Sequence, residues 1–437
     1  MNGGESMKKI NEIPGYLKEH ADRIAAKLAF NPKLQKLYLN CFMNAYETTY
    51  MKMDDGTAFF FTGDIHAMWN RDSAQQVTPY LSCAKESEEA RDLIKGTVRR
   101  QLMNLRNDPY ANAFNMEAND RHWDVRDMPR LSPWSWEQKY ETDSISNPIL
   151  LACRYFEITG DASLFDDDFV RTMEIVVNQF ILEQNHTEKS AYTHSRVDCP
   201  WQDTLQNGGK GYPVKYTGMT WQGFRPSDDA AKFGYNIPGN MMVTVALGAL
   251  LKLQESLNLF DKTFAGKIAS LKEEIEHGIE DFGIYLHPKY GRIYAYETDG
   301  FGNYVLSDDA NVPNLLSAPY LGFADAEDEV YKNTRAFVLS KDNPFYAEGK
   351  AARGLGSPHT PKDYVWHMGL CMQGMTASTK EEALEILDML VGSDAGTGFM
   401  HEGFHADNPD EFTRSWFAAS NSMFAEFVEY LIEKEIL

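Results

Sequence analysis

Apolar residues at helical spacing recur along most of the chain. Two of these apolar faces contain Leu93, Val98, Leu102 and Leu105, and Ile268, Leu271, Ile275 and Ile279. Because an α-helix has about 3.6 residues per turn, this spacing places the apolar side chains on one stripe that can face a core. We predict roughly a dozen helices on this basis. Strand patterns are confined to residues 58–62 and 291–297, and no alternation of strand and helix indicates a parallel sheet.

Long loops separate the predicted helices. They are rich in Gly, Pro, Trp and acidic residues, and they span residues 63–72, 123–143, 200–229, 343–361 and 396–404. Ordered loops of this length usually build a functional site. The number of helices and the placement of the loops predict an all-α fold, an α/α toroid with its active site in loops at one end. No break in composition divides the chain, so we predict one domain over residues 1–437, with residues 1–14 as a poorly ordered N-terminal lead.

The net charge and the cysteines indicate which binding partners and which cellular compartment are expected for the protein. The net charge of -22, from 42 Lys and Arg against 64 Asp and Glu, disfavours nucleic acid and anionic membranes because both would repel the chain. The five cysteines are scattered and odd in number, which is typical of reduced thiols. Neither an apolar run of about 20 residues nor an N-terminal signal sequence is visible. We expect a cytoplasmic protein.

All eight tryptophans lie in or beside the long loops. Their ring faces suit the apolar C–H faces of sugars, and the indole N–H can donate a hydrogen bond. A single Trp in such a position more often plugs a helix end, but the eight share a neighbourhood with Asp, Glu and Arg residues, which favours a sugar-binding site. We expect Trp69, Trp136, Trp221 and Trp366 around one concave end of the fold.

The same loops supply carboxylates for glycoside hydrolysis. This reaction needs a protonated acid at the leaving oxygen and a second carboxylate that attacks the sugar or activates water. The candidates are Asp72, Glu137, Glu141, Asp143, Asp228, Asp229 and Glu402. Asp228 and Asp229 are adjacent and cannot point the same way from one backbone. They therefore have different tasks, and one of them can cap the helix that follows.

The sequence gives less support for a catalytic metal ion or a nucleophilic serine than for a pair of carboxylates. Five loop histidines, His66, His359, His367, His401 and His405, form no His-Glu-x-x-His motif and have no cysteine partners at zinc spacing. We expect these histidines to bind sugar hydroxyls or to orient carboxylates, and we expect no metal and no other cofactor. No Gly-x-Ser-x-Gly motif occurs, and the proline-flanked loop around Ser357 predicts a pocket wall.

Several segments, taken in order, resemble one enzyme family. They are TGDI (62–65), MWNRDS (68–73), WEQKYETDS (136–144), GFRPSDD (223–229), IPGNM (237–241), GLGSPHTP (354–361), YVW (364–366), FMHE (399–402) and FTRSWF (412–417). Between about residues 34 and 427 the chain resembles glycoside hydrolase family 125. The resemblance implies an (α/α)6 barrel and metal-independent exo-hydrolysis of α-1,6-linked mannose with inversion of configuration. It also implies a role in the degradation of mannose-terminated glycans such as N-glycans.

Motif positions assign roles by this resemblance. Asp229 matches the general acid and Glu402 the general base, while Arg71 and Asp72 look like the pair that grips hydroxyls of the terminal sugar. The remaining residues expected to bind substrate are Asp64, His66, Trp69, Glu137, Lys139, Tyr140, Asp143, Trp221, Arg225, Asp228, His359, Trp366, His401 and Arg414. We expect an α-mannoside or a mannose-terminated glycan as the ligand, and a monomer.

The chain departs from the family pattern at three positions. Asn70 stands where an apolar residue is expected, Gln138 where Arg is expected and Gly403 where Ser is expected. Gly403 directly follows the proposed base and could loosen its loop. None of the three departures removes a carboxylate that the reaction needs.

Two alternatives remain open from the sequence. The first is another glycosidase or a glycoside phosphorylase on the same barrel, for which Lys139, Arg225 and Arg414 could bind phosphate. The second is a non-catalytic glycan-binding protein, which loss of either Asp229 or Glu402 would favour, and both are present. An acid that holds its proton near neutral pH needs an apolar or negatively charged surrounding, which we expect around Asp229.

Overall fold

The computed structural model describes residues 7–437, and α-helices dominate this part of the chain. In chain order the helices are α1 (Gly15–Lys27), α2 (Pro32–Thr49), α3 (Asn70–Val77), α4 (Leu81–Ala84), α5 (Glu88–Asn107), α6 (Asp143–Thr159), α7 (Asp167–Glu183), α8 (His186–Lys189), α9 (Gln206–Gly209), α10 (Ile237–Leu257), α11 (Lys262–Phe282), α12 (Ala318–Leu321), α13 (Glu329–Val338), α14 (His367–Met375), α15 (Lys380–Gly392) and α16 (Ala418–Glu433). Short 3-10 turns cover Thr78–Tyr80 and Trp201–Asp203.

Six of the helices, α2, α5, α7, α11, α13 and α15, form an outer layer. A polar side chain caps the first turn of each by accepting a backbone N–H, and these caps are Asn31, Ser87, Asp166, Asp261, Asp328 and Thr379. Capping satisfies donors that the helix itself leaves unpaired. In α5 and α11 the apolar faces predicted from the sequence are buried, and polar residues occupy the opposite sides.

The intervening helices α3, α6, α10, α12, α14 and α16 form an inner layer. Every residue of α14 is buried, as expected for a helix surrounded by others. Inner helices contact one another in the order α14, α16, α3, α6, α10 and α12, while α2, α5, α11 and α15 pack against this layer from outside. Outer and inner helices alternate along the chain, which confirms the predicted α/α toroid of six helix pairs.

Short strands connect the helices. They are β1 (Tyr50–Lys52), β2 (Ala58–Phe60), β3 (Met68–Trp69), β4 (Ala113–Phe114), β5 (Ser135–Glu137), β6 (Tyr235–Asn236), β7 (Ile284–His287), β8 (Gly291–Tyr294), β9 (Glu297–Thr298), β10 (Tyr304–Val305), β11 (Tyr346–Glu348), β12 (Arg353–Leu355), β13 (Tyr364–Trp366), β14 (Gly403–His405) and β15 (Asn408–Phe412). They pair in small antiparallel sheets, ordered β1-β2, β3-β4-β5, β10-β9-β6, β7-β8, β11-β12 and β13-β14-β15. Both short ribbons predicted from the sequence, at residues 58–62 and 291–297, contain strands.

The inner helices begin where the motif-bearing loops end. α3 follows β3 directly, α10 follows β6 and α14 follows β13. The exposed backbone N–H groups and the helix dipole favour negative charge near a helix N-terminus. Asp72 and Asp143 lie in the first turns of α3 and α6, where this field stabilises their carboxylates.

The first part of the chain packs against α2. Residues 1–6 of the predicted N-terminal lead lie outside the described residues. The backbone N–H groups of Ile10 and Asn11 both donate to the carbonyl of Glu47, at 2.7 and 3.1 Å. The Asn11 side chain donates to the carbonyls of Tyr46 and Tyr50, at 2.9 and 2.8 Å. Residues 10–11 are thus bonded to the end of α2.

All five cysteines have free thiols, and four of them, Cys41, Cys83, Cys153 and Cys371, are buried. Across residues 7–437, no helix has both the length and the apolar character that a bilayer crossing requires.

Candidate active site

A cavity of about 540 Å³ lies among the loops that precede the inner helices. Its size falls in the range of about 300–1,000 Å³ that is typical of small-molecule sites. The residues around it come from chain segments as far apart as Thr62 and Phe417. Eleven of the residues predicted from the sequence line it: Asp64, Trp69, Arg71, Asp72, Glu137, Lys139, Asp228, His359, Trp366, Glu402 and Arg414.

Arg71 forms the centre of a buried charge cluster on one wall. Its guanidinium lies 2.8 Å from Glu141 Oε2, 3.1 Å from Asp143 Oδ2 and 3.3 Å from Asp228 Oδ1. The Arg71 Nε lies 3.4 Å from Asp72 Oδ2, and Asp72 also accepts a hydrogen bond from a threonine hydroxyl. Four carboxylates therefore surround one buried cation, and this cluster has an excess of negative charge.

The excess charge favours proton binding at Glu141, and at Asp143 in mildly acidic solution. Burial and the neighbouring Asp228 raise the pKa of Glu141 well above its usual value. Burial also raises the pKa of Asp143 to about 6, against the opposing charge of Arg71. Burial would raise the pKa of Asp228 too, but Arg71 and the hydrogen bond with Glu141 lower it below its ordinary range. Asp228 therefore favours its ionised form, whereas Glu141 favours its protonated form.

A second charge cluster adjoins the first. Lys139 Nζ lies 2.7 Å from Asp203 Oδ1 and 3.5 Å from Glu137 Oε1. Arg196 donates to Glu137 at 2.9 Å and to Asp127 at 2.7 Å, so Glu137 lies between two cations. Pairing of this kind offsets the cost of burying charges and fixes the side chains in place.

Glu402 and its neighbours form another part of the lining. Glu402 immediately precedes β14, and pairing of Gly403 with Trp366 places this loop beside β13. The guanidinium of Arg414 lies 3.6 Å from Glu402 Oε1 and binds Asp64 Oδ1 through Nε at 2.9 Å. Glu402 is buried and forms an ion pair with Arg414, whose closer partner is Asp64.

Asp229 occupies a different surrounding from its neighbour Asp228. Asp228 has a φ of +64°, a left-handed conformation in which the chain turns sharply, and this separates the two carboxylates. Asp229 Oδ2 accepts a hydrogen bond from Ser227 Oγ at 2.9 Å, and Oδ1 lies 3.3 Å from His359 Nδ1. Desolvation opposes a charge on His359, but the hydrogen bond to Asp229 and the charges of Asp229, Glu402 and Asp228 raise its pKa to about 9. The His359 cation therefore interacts with both proposed catalytic carboxylates.

Aromatic residues complete the lining. Trp69, Trp123, Trp366 and Phe417 border the cavity. The Trp366 indole donates to a threonine hydroxyl at 2.8 Å, whereas the buried Trp69 Nε1 has no partner among the described residues. Trp69 thus retains a donor for a ligand oxygen, as sugar sites require.

Seven predicted site residues do not line the cavity. Asp143 and Asp229 lie behind it and contact lining residues, as described above. Arg225 is buried and pairs with Glu297 at 2.5 Å. Three more lie within aromatic contacts: His66 packs on Phe61, Tyr140 on Tyr110 and His401 on Phe412.

Trp221, the seventh, differs most from its prediction. It is fully buried and stacks on His186 with ring centroids 3.4 Å apart. A Cβ on Gly234 would overlap Trp221 Nε1, so only a glycine there leaves space for the indole. Trp221 therefore belongs to the core and does not line the cavity, whereas Trp123 does.

Sequence reasoning missed several residues around the cavity. Asn112 donates from one amide group toward Glu137, Glu141 and Asp228 at 3.2–3.3 Å, so it links the two charge clusters. The sequence indicates Glu141 as a candidate carboxylate but not as a residue that binds substrate. Trp123 could have been chosen from its tryptophan-rich loop, whereas an isolated Asn in a polar loop carries no distinguishing signal.

The three departures from the family pattern are accommodated locally. The Asn70 amide oxygen accepts from Asn104 at 3.1 Å, and Gln138 donates to Asp108 at 2.8 Å. The Gly403 N–H donates to a threonine hydroxyl at 3.1 Å, and a Cβ at this position would lie 3.0 Å from the Trp366 ring. Gly403 is held in a strand and leaves room for Trp366, so the loop is not loosened there.

No group of three His, Cys, Asp or Glu side chains in residues 7–437 is arranged to hold a metal ion. The carboxylates that meet at the cavity are bound instead to Arg71, Arg414 and the amide of Asn112. Protein cations and an amide are therefore the partners of the carboxylates at this site.

Known proteins resemble this chain in both sequence and structure. The structure of a Streptococcus pneumoniae metal-independent α-mannosidase, in a non-productive substrate complex with α-1,6-mannobiose, matches with a TM-score of 0.94 and 41% identity, covering 96% of this chain and 99% of the other. The Meiotically up-regulated gene 157 protein of Schizosaccharomyces pombe is 37% identical over 424 residues, 92% of this chain and 83% of its own length. A bacterial glucoamylase complexed with acarbose shares the fold, with a TM-score of 0.59, 11% identity and coverage of 90% of this chain and 55% of the other.

The family model described as metal-independent alpha-mannosidase (GH125) matches residues 31–429, which span both layers of the toroid and every loop around the cavity. The chain belongs to glycoside hydrolase family 125, the metal-independent α-mannosidases.

Proposed function

We propose that the protein hydrolyses α-1,6-linked mannosides, releasing mannose from the non-reducing end with inversion of configuration. The observation that carries this proposal is the cavity itself, where Glu402, the Arg71 cluster and His359 meet, with Asp229 directly behind His359. The α-1,6-mannobiose bound by the pneumococcal relative supports the choice of linkage.

Glu402 is the proposed general base. Inversion requires a carboxylate that removes a proton from water while the water attacks the anomeric carbon. Arg414 lies 3.6 Å from Glu402, too far for a direct hydrogen bond, so this cation leaves acceptor positions on the carboxylate for a water molecule. Asp64 binds Arg414 more closely and fixes its position.

Asp229 is the proposed general acid, and the charges around the adjacent Asp228 support this choice. Asp228 is held in its ionised form by Arg71, because its pKa is lowered, and an ionised group cannot donate a proton. Asp229 has the Ser227 hydroxyl and the His359 imidazolium as hydrogen-bond partners, and an imidazolium, unlike a guanidinium, can itself release a proton. In the acid step, the Asp229 proton passes to the glycosidic oxygen as the bond from that oxygen to the anomeric carbon breaks.

The Arg71 cluster is suited to the terminal sugar. Arg71 and Asp72 present donors and acceptors that a mannose ring can pair with its hydroxyls. A substrate that leaves such buried groups unpaired is bound less well, which gives selectivity for one sugar. Because these side chains are buried within the cavity wall, we propose that they bind the terminal sugar of a glycan chain. The enzyme would then release mannose from the chain end, which is exo action.

Phosphorolysis is the less favoured chemistry. A phosphate nucleophile needs cations that are free to bind it. Lys139 pairs with Asp203 at 2.7 Å, Arg225 with Glu297 at 2.5 Å, and Arg414 with Asp64. All three cations considered from the sequence are thus already neutralised.

The test is the release of free mannose from α-1,6-mannobiose, in phosphate-free buffer with EDTA present. Hydrolysis under these conditions supports the proposal. Dependence on phosphate would indicate a phosphorylase, and binding without turnover would indicate a glycan-binding protein. Loss of activity on chelation, restored by zinc or calcium, would reject metal independence for this chain.

The compartment and the oligomeric state are proposals as well. We propose a cytoplasmic monomer that acts on mannose-terminated glycans, including N-glycans. Light scattering after size exclusion should give a mass near the chain mass of 49.7 kDa, and cell fractionation should place the protein with cytoplasmic markers. A stable dimer, or recovery in the secreted fraction, would contradict these proposals.

A further inference from the structure

Two loops beside the cavity, residues 123–128 and 195–203, expose large apolar side chains, and we call them the rim loops. Trp123 in the first loop is 52% exposed, and Trp201 in the second is 56% exposed. The same loops expose three more apolar residues, Val125, Met128 and Val197. Apolar side chains that are exposed together usually mark a surface for a ligand or a partner. No step of the proposed mechanism uses either tryptophan.

The two rim loops are bonded to each other. Met128 and Ser195 exchange backbone hydrogen bonds in both directions, each at 2.9 Å. The next residue, Arg196, donates to both carboxylate oxygens of Asp127, at 2.7 and 2.8 Å, and this ion pair is buried. A bidentate pair of this kind fixes the relative geometry of its partners. The apolar residues of the two loops are therefore held on one ordered surface.

The second rim loop adjoins both the cavity and the proposed acid. Asp203, at the end of this loop, lines the cavity. The carbonyl of Gln202 accepts the backbone N–H of Ala230, the residue after Asp229, at 2.7 Å. A general acid lies beside the leaving oxygen, so the part of the cavity next to Asp229 receives the leaving sugar. Trp201, which directly precedes Gln202, is therefore on the leaving-group side.

The chemistry of the rim loops suits a neutral sugar chain. An indole ring face packs well on the apolar C–H face of a sugar ring. The exposed cation Arg126 is paired with Asp124 at 2.7 Å and with Asp198 at 3.0 Å, so its charge is already balanced. The net charge of -22 repels an acidic ligand or partner but has no such effect on an uncharged glycan.

We propose that the rim loops bind the glycan beyond the leaving sugar, with Trp201 as the platform for the third sugar counted from the released mannose. The first sugar occupies the cavity, the second is the leaving sugar next to Asp229, and the third reaches the rim loops. This inference rests on the proposed function and specifies its substrate class, a neutral mannoside chain of three or more sugars.

The test compares initial rates on α-1,6-mannobiose and α-1,6-mannotriose, which differ by one sugar at the end remote from the cleaved linkage. The unaltered protein should have the higher kcat/KM on mannotriose. Trp201→Ala should lower kcat/KM on mannotriose by roughly 2- to 10-fold, the size of one aromatic contact, and leave kcat/KM on mannobiose unchanged. The loss should appear in KM and not in kcat, because the third sugar is bound equally before and during bond cleavage.

Two variants serve as controls, and thermal unfolding shows that each is folded. Trp201→Phe keeps an aromatic face and should keep most of the preference for mannotriose. Phe30→Ala removes an exposed aromatic side chain elsewhere and should change neither substrate. Phe30 is 66% exposed and precedes α2, whose other end contacts Trp416, next to the cavity-lining Phe417, through Thr48 at 3.1 Å. The 18 residues of α2 span about 27 Å, so Phe30 lies far from the cavity.

An unchanged preference for mannotriose in folded Trp201→Ala would overturn the inference and favour a protein partner or a second copy of the chain on the rim loops. Equal losses on both substrates, or no preference in the unaltered protein, would also overturn it. Calorimetric binding of the two oligosaccharides to Glu402→Ala, with and without Trp201→Ala, gives the same comparison without turnover. Failure of the proposed function is distinct, because the unaltered protein would release no mannose while Trp201→Ala would still weaken the binding of mannotriose.

Discussion

Replacing Arg71 with Met should destabilise the protein in a pH-dependent way. Met has a similar length but no charge, so the substitution removes the guanidinium and leaves Asp72, Glu141, Asp143 and Asp228 in place. Breaking a buried ion pair by removing one partner typically costs about 3–5 kcal/mol, because the remaining charge is uncompensated. The entropy of unfolding is about 2.1 cal/mol/K per residue, which for 437 residues gives about 0.9 kcal/mol/K. The expected fall in Tm is therefore about 3–5 °C near pH 8.

The sign of the pH dependence follows from the raised pKa of Asp143. That pKa is about 6 in the folded protein, above the value of about 3.9 in an unfolded chain. A group of this kind contributes stability below its unfolded pKa, and the contribution is lost as the pH rises through the folded pKa. Without Arg71 the carboxylates bind protons more tightly, so the loss of Tm should shrink from pH 8 to pH 5.

Differential scanning fluorimetry at pH 5 and pH 8 measures this effect. Arg99→Met serves as the control, because Arg99 is half-exposed and its guanidinium lies as far as 4.0 Å from its partner Asp166. An exposed ion pair of this kind contributes little to stability. Its Tm should change little at either pH. An equal loss of Tm at both pH values in Arg71→Met, or no loss at all, would refute the reasoning about the charge cluster.

Three further substitutions test the site, and a fourth tests the backbone beside it. Asp229→Ala should lose most of its activity on α-1,6-mannobiose and retain far more on an activated aryl mannoside, whereas Glu402→Ala should lose about 10²–10⁴-fold on both substrates. If steady-state kinetics show the leaving-group dependence in Glu402→Ala and the loss on both substrates in Asp229→Ala, the two roles are exchanged. Asp72→Ala should lower both kcat and kcat/KM, the latter by roughly 10- to 100-fold, because the substitution removes a charged acceptor from the cavity. Unaltered kinetics would show that Asp72 does not bind the substrate. Gly63→Ala should destabilise the fold by about 1–3 kcal/mol from its backbone conformation alone, because φ at Gly63 is +138°. The added Cβ would also collide with the carbonyl oxygen of Trp416, so an unchanged Tm would contradict this backbone conformation at Gly63.

Helix positions were the most predictable part of the fold. The apolar stripe of Ile268, Leu271, Ile275 and Ile279 faces the core because a 3.6-residue period admits one arrangement of an amphipathic helix on a layer of others. Short strands such as β3 and β13 were not predicted. They contain two or three residues and depend on partners far away in the chain, so no local pattern marks them.

The site was predictable where a motif fixes both residue and backbone. Arg71, Asp72 and Glu402 line the cavity because they adjoin strands or helix starts that face it. The prediction for Trp221 is wrong since a loop position does not determine on which side an indole packs, and its stacking partner His186 lies 35 positions earlier in the sequence. Asn112 contacts carboxylates from distant segments, and such contacts exist only in the folded chain.

The anomeric form of the first product tests the central proposal most directly. Proton NMR of a fresh reaction on α-1,6-mannobiose distinguishes α- from β-mannose before the two forms equilibrate. Water activated by Glu402 attacks the face opposite to the leaving oxygen, so β-mannose should appear first and α-mannose only later. If α-mannose appears first, the two carboxylates act with retention, and the roles proposed for Asp229 and Glu402 are incorrect.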